Sequence, residues 1–147
     1  MSQGLSVGHG RFGPVIILRA MAEATPIRVL VVDDHRLFTH ALTTVLLQDG
    51  RFEVVGTAAT GREAVTLAKN ARADVVLMDM SMPVLDGPAA TRKLRSHDPP
   101  PQVIALSGHT DELSRTAALD AGASAFVTKS EAFDELVATI LEVCGRE

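Results

Sequence analysis

The chain has 147 residues and a formal charge of −4, with acidic and basic residues mixed along its length. This length suits one domain with a self-sufficient core, and the single cysteine, Cys144, excludes an intramolecular disulfide. The sequence has no run of Lys and Arg, no Trp and no Tyr, which argues against a nucleic-acid-binding surface.

Residues 1–26 differ in composition from the remainder and are expected to form a disordered tail. Residues 1–20 are Gly-rich, and their apolar run Val15–Leu18 is too short for a signal-peptide core or a membrane span. Met21 offers an alternative translation start. Residues 1–20 show no periodicity and contain no candidate site residue, so they are expected to be dispensable. Residues 27–147 are expected to form the domain.

Five short apolar and β-branched runs follow, and each predicts a buried strand. The predicted strands are Ile27–Val32, Phe52–Ala58, Val75–Met78, Val103–Leu106 and Ala125–Val127. Segments with helical spacing separate them, and such alternation predicts an α/β fold with a parallel sheet covered by helices on both faces.

The intervening segments carry helix signals. Thr60 and Glu63 have the spacing of a capping box, Thr110 is placed to cap a later helix, and Gly122 marks a helix end. The first and last helices are predicted to be amphipathic, with one apolar face each. These faces consist of Leu37, Phe38, Ala41, Leu42, Val45 and Leu46, and of Phe133, Leu136, Val137, Ile140, Leu141 and Cys144.

Polar side chains follow four of the five predicted strands. Asp33 and Asp34 follow the first strand, Asp79 the third, Ser107 the fourth and Lys129 the fifth. Each residue alone is commonly a helix cap, a structural hydroxyl or a surface cation. Because ligands of parallel sheets bind where the strands end, their joint occurrence predicts one site. Three carboxylates in one pocket repel one another, and a divalent cation such as Mg²⁺ neutralises them.

The residue set suits phosphoryl transfer. A metal ion and Lys129 neutralise phosphoryl oxygens, while the Ser107 hydroxyl donates a hydrogen bond. Asp79 ends the central strand and is the candidate nucleophile, since carboxylates form acyl phosphates. The sequence shows no glycine-rich phosphate loop and no nucleotide-pocket motif, which favours a small phosphoryl carrier or a phosphohistidine over ATP as the donor.

The sequence around these residues resembles the receiver domains of two-component response regulators from Ile27 to about Cys144. The matching segments are VLVVDDHRLF (29–38), VVLMDMSMP (75–83) followed by Asp86 and Gly87, VIALSG (103–108) and GASAFVTK (122–129). The Asp-Asp-His start and the Lys-Ser ending are most similar to receivers that usually carry a C-terminal helix-turn-helix domain.

The resemblance implies a flavodoxin-like (βα)5 fold, a three-layer sandwich whose parallel sheet has the order 2-1-3-4-5. It implies that Asp79 is phosphorylated, that Ser107 and Lys129 contact the phosphoryl oxygens, and that Phe126 is the switching aromatic residue. The Mg²⁺ ligands it implies are Asp33, Asp34, Asp79 and the backbone carbonyl of Met80.

A histidine kinase or a histidine phosphotransfer protein is the phosphoryl donor that the resemblance implies, in the cytoplasm. The donor must reach Asp79 in line with the breaking bond, so it is expected to dock beside the first helix at His35, Phe38 and Ala41. Alternatively, Phe38 and Ala41 belong wholly to the core. Phosphorylation is expected to switch contacts with a downstream protein or with a second copy, without direct contact to nucleic acid or membrane.

Two outputs stay open at this point: a single-domain regulator that acts by protein contact, and the receiver part of a helix-turn-helix transcription factor. As a receiver, the chain is expected to catalyse at most its own phosphorylation and dephosphorylation. An aspartate-nucleophile phosphatase usually has a second Asp two residues further on, where this chain has Ser81. A flavin carrier of the same fold needs phosphate-binding Ser, Thr and Gly in the first loop, which here is the anionic run 33–36.

Overall fold

The computed structural model describes residues 25–82, 86–108 and 112–146, in which strands and helices alternate. The elements are β1 (Ile27–Val32), α1 (Arg36–Leu47), β2 (Phe52–Ala58), α2 (Gly61–Asn70), β3 (Val75–Asp79), α3 (Gly87–Arg95), β4 (Gln102–Ser107), α4 (Glu112–Asp120), β5 (Ala125–Thr128) and α5 (Ala132–Val143). Each predicted strand is confirmed to within one residue at either end. The predicted disordered tail is residues 1–26, of which residues 1–24 lie outside the described residues. The predicted helix cap Thr110 also lies outside them.

The five strands form one parallel sheet in the order β2-β1-β3-β4-β5, which confirms the expected topology. Alternate residues of a strand face opposite sides of the sheet. Val29 and Val31 therefore face α1 and α5, whereas Leu30 and Val32 face the layer of α2, α3 and α4. Every residue of β3 is buried, as expected for a central strand covered on both faces.

The residues predicted to start α2 and to end α4 do so in the structure. Thr60 Oγ1 accepts a hydrogen bond from Glu63 N at 3.1 Å, and Glu63 Oε1 accepts one from Ala59 N at 2.9 Å, so the capping box of α2 is confirmed. Gly122 follows α4 with φ +110°, a left-handed conformation that glycine adopts without steric cost. Among the described residues, no helix is long and apolar enough to cross a membrane.

The apolar faces predicted for α1 and α5 are narrower than expected. Leu37 is 87 % exposed and Phe133 is 44 % exposed, so these two members of the predicted apolar faces are not buried. Other residues of the two helices fill the core, such as Leu46 of α1 and Ala132 and Ile140 of α5. Phe133 packs edge-on against Phe38, with 5.7 Å between the ring centroids.

Candidate functional site

Lys129 joins the ends of three strands at one edge of the sheet. Its Nζ lies 2.6 Å from Asp33 Oδ2 and 3.5 Å from Asp79 Oδ2. Its backbone N donates to the carbonyl of Ser107 at 2.8 Å, which ties the residue after β5 to the end of β4. Ser107 is buried, as are Asp33 and Asp79, and it ends β4, the strand that pairs with β3 at Asp79. The structure brings these predicted site residues together as the parallel sheet required.

Backbone hydrogen bonds fix both aspartates where their strands end. Asp33 N donates to the carbonyl of Ala58 on β2 at 3.0 Å, and Met80 N donates to the carbonyl of Leu106 on β4 at 2.9 Å. The Asp79 side chain is oriented in turn by Ser81 N, which donates to its Oδ1 at 3.1 Å. The Asp79 carboxylate is consequently held at the sheet edge from both sides.

Gly87 allows α3 to begin directly against the backbone of Asp79. A Cβ at position 87 would lie 2.5 Å from the Asp79 carbonyl oxygen and 2.6 Å from Met80 Cα. Asp86 caps this helix by accepting a hydrogen bond from Ala89 N at 2.8 Å. The sequence motif contained Gly87, but the reason for a residue without a side chain appears only in the tertiary contact.

Electrostatic forces act differently on the two buried aspartates. Burial alone would raise the pKa of Asp33, yet the hydrogen bonds from Lys129 and His35 outweigh burial and hold the pKa of this carboxyl below its ordinary value. Burial raises the pKa of Asp79, and the nearby charge of Asp33 adds to that rise. An additional cation would therefore stabilise the ionised form of Asp79, which its present surroundings disfavour.

The donor atoms at this edge suit a divalent cation. Ligand atoms of Asp33, Asp34, His35 and Asp79 all lie within 4.8 Å of one another. Asp79 Oδ2 is buried and accepts no hydrogen bond from the described residues. A buried carboxylate oxygen without a hydrogen bond is costly, and a metal ion would satisfy it. The residues present therefore fit the ion that the sequence predicted.

His35 and Phe38 both touch the site. His35 Nδ1 lies 2.8 Å from Asp33 Oδ1 and 3.4 Å from Asp34 Oδ1. The Phe38 ring centroid lies 4.9 Å from Lys129 Nζ, a cation–π distance. The sequence assigned both residues to docking and missed these contacts, since the only signal for them was their position within one turn of the aspartates.

The remaining predicted residues lie further from the carboxylates. Phe126 is half-buried on β5 and packs against the core layer of α2, α3 and α4, and the guanidinium carbon of Arg115 lies 5.9 Å from its ring centroid. Ala41 is half-buried on α1. The structure thus places Phe126 near the start of α4, and it places Ala41 one turn beyond Phe38.

This fold, with polar residues at the ends of its strands, is matched by a known family. The family model of the response regulator receiver domain matches residues 29–141. The chain therefore belongs to the response regulator receiver family of signalling domains.

Two curated relatives illustrate the family. The chain is 37 % identical over 114 residues to the transcriptional regulatory protein DegU of Brevibacillus brevis, a match that covers 78 % of this chain and 48 % of DegU. It is 42 % identical over 115 residues to the response regulator GacA of Pseudomonas syringae pv. syringae, covering 78 % of this chain and 53 % of GacA. The chain thus spans about half the length of these relatives.

Solved structures show the same fold. The signal receiver domain of the response regulator NarL from Mycobacterium tuberculosis superposes with a TM-score of 0.78 at 34 % identity, covering 83 % of this chain and 98 % of that one. The response regulator domain of Thermotoga maritima CheB gives a TM-score of 0.76 at 31 % identity, covering 84 % and 99 %. The similarity extends over nearly the whole of both solved domains.

Proposed function

We propose that Asp79 accepts a phosphoryl group from a phosphohistidine of a kinase or phosphotransfer protein, with Mg²⁺ bound beside it. The observation that carries this proposal is the buried Asp79 carboxylate, whose Oδ2 accepts no hydrogen bond from the described residues and lies 3.5 Å from Lys129 Nζ. Burial of a carboxylate oxygen without a hydrogen bond costs stability, which a bound cation would offset.

In the proposed transfer, an Asp79 carboxylate oxygen attacks phosphorus while the bond from phosphorus to the donor histidine nitrogen breaks. The histidine leaves with the electron pair of that bond. The Lys129 ammonium faces the phosphoryl oxygens, and the Ser107 hydroxyl donates to one of them. Both groups stabilise charge that the carboxylates would otherwise repel. The proposed reactions of the chain are limited to its own phosphorylation and dephosphorylation.

The proposed metal ligands are Asp33, Asp34, Asp79 and the backbone carbonyl of Met80. When bound, Mg²⁺ supplies positive charge next to the transferring group. Asp33 and Asp79 are held in place by backbone hydrogen bonds, whereas Asp34 is the more exposed ligand, with 35 % of its side chain accessible.

The Mg²⁺ affinity of Asp34→Ala is expected to fall about 10- to 100-fold, because carboxylate count sets the affinity of oxygen sites. Isothermal titration calorimetry of the chain measures this directly. Asp120→Ala removes the same charge from an exposed position at the end of α4 and should change the affinity little. Equal losses in the two variants would mean that Asp34 acts only through net charge.

Lys129→Ala is expected to bind Mg²⁺ at least as well as the unaltered chain while accepting phosphate slowly. The ammonium lies 2.6 Å from Asp33 Oδ2, where it repels an incoming divalent ion, so its removal does not weaken the metal site. Its loss leaves the phosphoryl oxygens without their second cation. Calorimetry and the rate of phosphorylation by acetyl phosphate separate the two effects.

Lys93→Ala, a change at an exposed position of α3, is the matched control and should alter neither quantity. Loss of Mg²⁺ binding in a folded Lys129→Ala variant would contradict the role proposed for this side chain.

We further propose that phosphorylation draws Ser107 and Phe126 toward the site and so changes the surface of α4, β5 and α5. Phe126 contacts Arg115 on α4, which gives the aromatic side chain a direct connection to that surface. A two-state surface of this kind is biased by the added charge. The proposed receiver of this change is a downstream protein or a second copy of the chain.

The parent protein is proposed to be a helix-turn-helix transcription factor, with a single-domain regulator as the alternative. Support comes from DegU, which is named a transcriptional regulatory protein and which the chain covers for 48 % of its length. A cytoplasmic location is part of the proposal, and the free, half-buried Cys144 is compatible with a reducing compartment. Sequencing of the parent gene beyond codon 147 tests directly whether it encodes a helix-turn-helix domain.

The docking surface proposed for the phosphoryl donor consists of His35, Leu37, Phe38 and Ala41. Leu37 extends the residues predicted from sequence, since it is 87 % exposed in the first turn of α1, next to the site. Exposed apolar side chains beside a polar site are typical anchors of interfaces. A substitution of Phe38 would test docking less specifically, because its ring also contacts Lys129.

Leu37→Ala is expected to slow phosphotransfer from a histidine kinase that phosphorylates the unaltered chain by about tenfold, the range of a moderate anchor. Phosphorylation by acetyl phosphate should be unchanged, because a small donor needs only the pocket. Leu47→Ala removes another exposed leucine, 63 % exposed, at the opposite end of α1 and should leave both rates unchanged. Equal rates from the kinase in all three proteins would remove Leu37 from the docking surface.

The proposed function itself is tested by incubating the chain with acetyl phosphate in the presence of Mg²⁺ or of a chelator. Intact-mass spectrometry should show one added phosphoryl group with Mg²⁺ and none with the chelator. A chain that gains no mass with Mg²⁺ while a known receiver does so in parallel would contradict the proposal.

A further inference from the structure

The imidazole of His35 lies among the carboxylates of the proposed metal site. Its Nδ1 is 2.8 Å from Asp33 Oδ1 and 3.4 Å from Asp34 Oδ1. The described residues contain two further histidines, His40 and His97, and neither belongs to the cluster whose ligand atoms lie within 4.8 Å of one another. His35 is thus placed to do more than form part of a docking surface.

The Lys129 ammonium marks where the protein holds positive charge at this edge. Its Nζ contacts Asp33 Oδ2 at 2.6 Å, Asp79 Oδ2 at 3.5 Å and His35 Nδ1 at 3.1 Å. The ammonium can donate to Nδ1 in the tautomer that carries the ring proton on Nε2, which leaves the Nδ1 lone pair open to a cation. Two carboxylate oxygens and one imidazole nitrogen thus lie within 3.5 Å of the same ammonium nitrogen.

Asp79 gives a second indication that this position takes a ligand. The residue is 1 % exposed, and its Oδ2 accepts no hydrogen bond from the described residues. A divalent cation that displaces the ammonium would satisfy this oxygen. The His35 side chain is 66 % exposed, so water ligands have access to the outer side of the ion.

We propose that His35 is a direct ligand of the divalent cation and shifts the preference of the site from Mg²⁺ toward borderline transition-metal ions such as Co²⁺ and Zn²⁺. The proposal rests on the metal site of the proposed function. Mg²⁺ prefers a shell made only of oxygen, whereas an imidazole nitrogen favours Co²⁺ and Zn²⁺. Replacing the nitrogen with an amide oxygen therefore weakens the binding of Co²⁺ much more than that of Mg²⁺.

The experiment titrates Co²⁺ and Mg²⁺ by calorimetry into the full chain without an affinity tag, as the unaltered protein, His35→Gln and His40→Gln. His35→Gln is expected to lose Co²⁺ affinity by at least about tenfold, while its Mg²⁺ affinity changes less than about threefold. His40→Gln alters an exposed histidine one helical turn further along α1 and should bind both ions as the unaltered protein does. Mg²⁺ should displace Co²⁺ in competition, since both ions share the site.

Proton NMR of the Co²⁺-loaded chain provides a signature that a structural role of His35 would not produce. A paramagnetically shifted, exchangeable imidazole N–H signal should appear in the unaltered protein and in His40→Gln, and it should be missing in His35→Gln. Persistence of the signal in His35→Gln, equal losses of Co²⁺ and Mg²⁺ affinity, or Co²⁺ binding that Mg²⁺ does not displace would each overturn the inference. Failure of the unaltered chain to bind Mg²⁺ would instead overturn the metal site of the proposed function.

Discussion

Asp79→Asn is expected to abolish phosphorylation by acetyl phosphate while leaving the fold intact. An amide has the shape of the carboxylate but cannot form an acyl phosphate. Its oxygen can still accept the hydrogen bond that Ser81 N donates to Asp79 Oδ1 at 3.1 Å, so the local backbone should not move. Intact-mass spectrometry after incubation with Mg²⁺ and the donor should show no added phosphoryl group.

The same variant should be at least as stable as the unaltered chain at neutral pH. The pKa of Asp79 is raised by burial and by Asp33, so ionisation of this group costs stability as the pH rises from its ordinary pKa through the raised one. Asn carries no charge, and the difference in melting temperature should therefore shrink toward acidic pH. Phosphorylation of a folded Asp79→Asn variant at the unaltered rate would refute the assignment of the site.

Gly87→Ala is expected to lower the stability of the domain and to slow phosphorylation. The added Cβ would lie 2.5 Å from the Asp79 carbonyl oxygen and 2.6 Å from Met80 Cα, and both neighbours are backbone atoms that cannot rotate away. Overpacking of this kind costs about 1–3 kcal/mol of unfolding free energy. Because either α3 or the Asp79 segment must shift, the carboxylate should also lose its alignment. Chemical denaturation and the rate of phosphorylation by acetyl phosphate measure the two effects.

Gly50→Ala is the matched control for this substitution. A Cβ at Gly50 meets no atom within 4 Å, so the change is expected to be neutral, or stabilising by up to about 1 kcal/mol through the unfolded chain. An unfolding free energy of Gly87→Ala equal to that of Gly50→Ala would show that the contact at the start of α3 relaxes without cost.

The strands and the edge that carries the site could be predicted because both follow from local sequence. Continuous apolar runs such as Val75–Met78 predict strands buried on both faces, and the structure extends this one only by Asp79. Once the strands are parallel, their carboxyl ends must share an edge. The proximity of Asp33 and Lys129, which are far apart in the chain but 2.6 Å apart in the structure, then follows from topology.

Other features depend on tertiary contacts that periodicity does not encode. Leu37 belongs to the predicted apolar face of α1, yet its side chain is 87 % exposed, whereas the neighbouring Phe38 packs against the core. His35 and Phe38 lie in sequence where a docking surface was expected. Their contacts with Asp33 and Lys129 depend on side-chain directions around the first turn of α1, which helical spacing alone does not specify.

The central claim is that Asp79 carries the phosphoryl group, and reductive trapping tests it most directly. Borohydride reduces an acyl phosphate of aspartate to homoserine, so the phosphorylated chain should be treated with borohydride, digested and mapped by tandem mass spectrometry. Homoserine is expected at position 79 in the sample treated with acetyl phosphate and Mg²⁺, and an unmodified aspartate is expected there when the donor is omitted. Homoserine at Asp33 or Asp34, with position 79 unmodified, would contradict this claim.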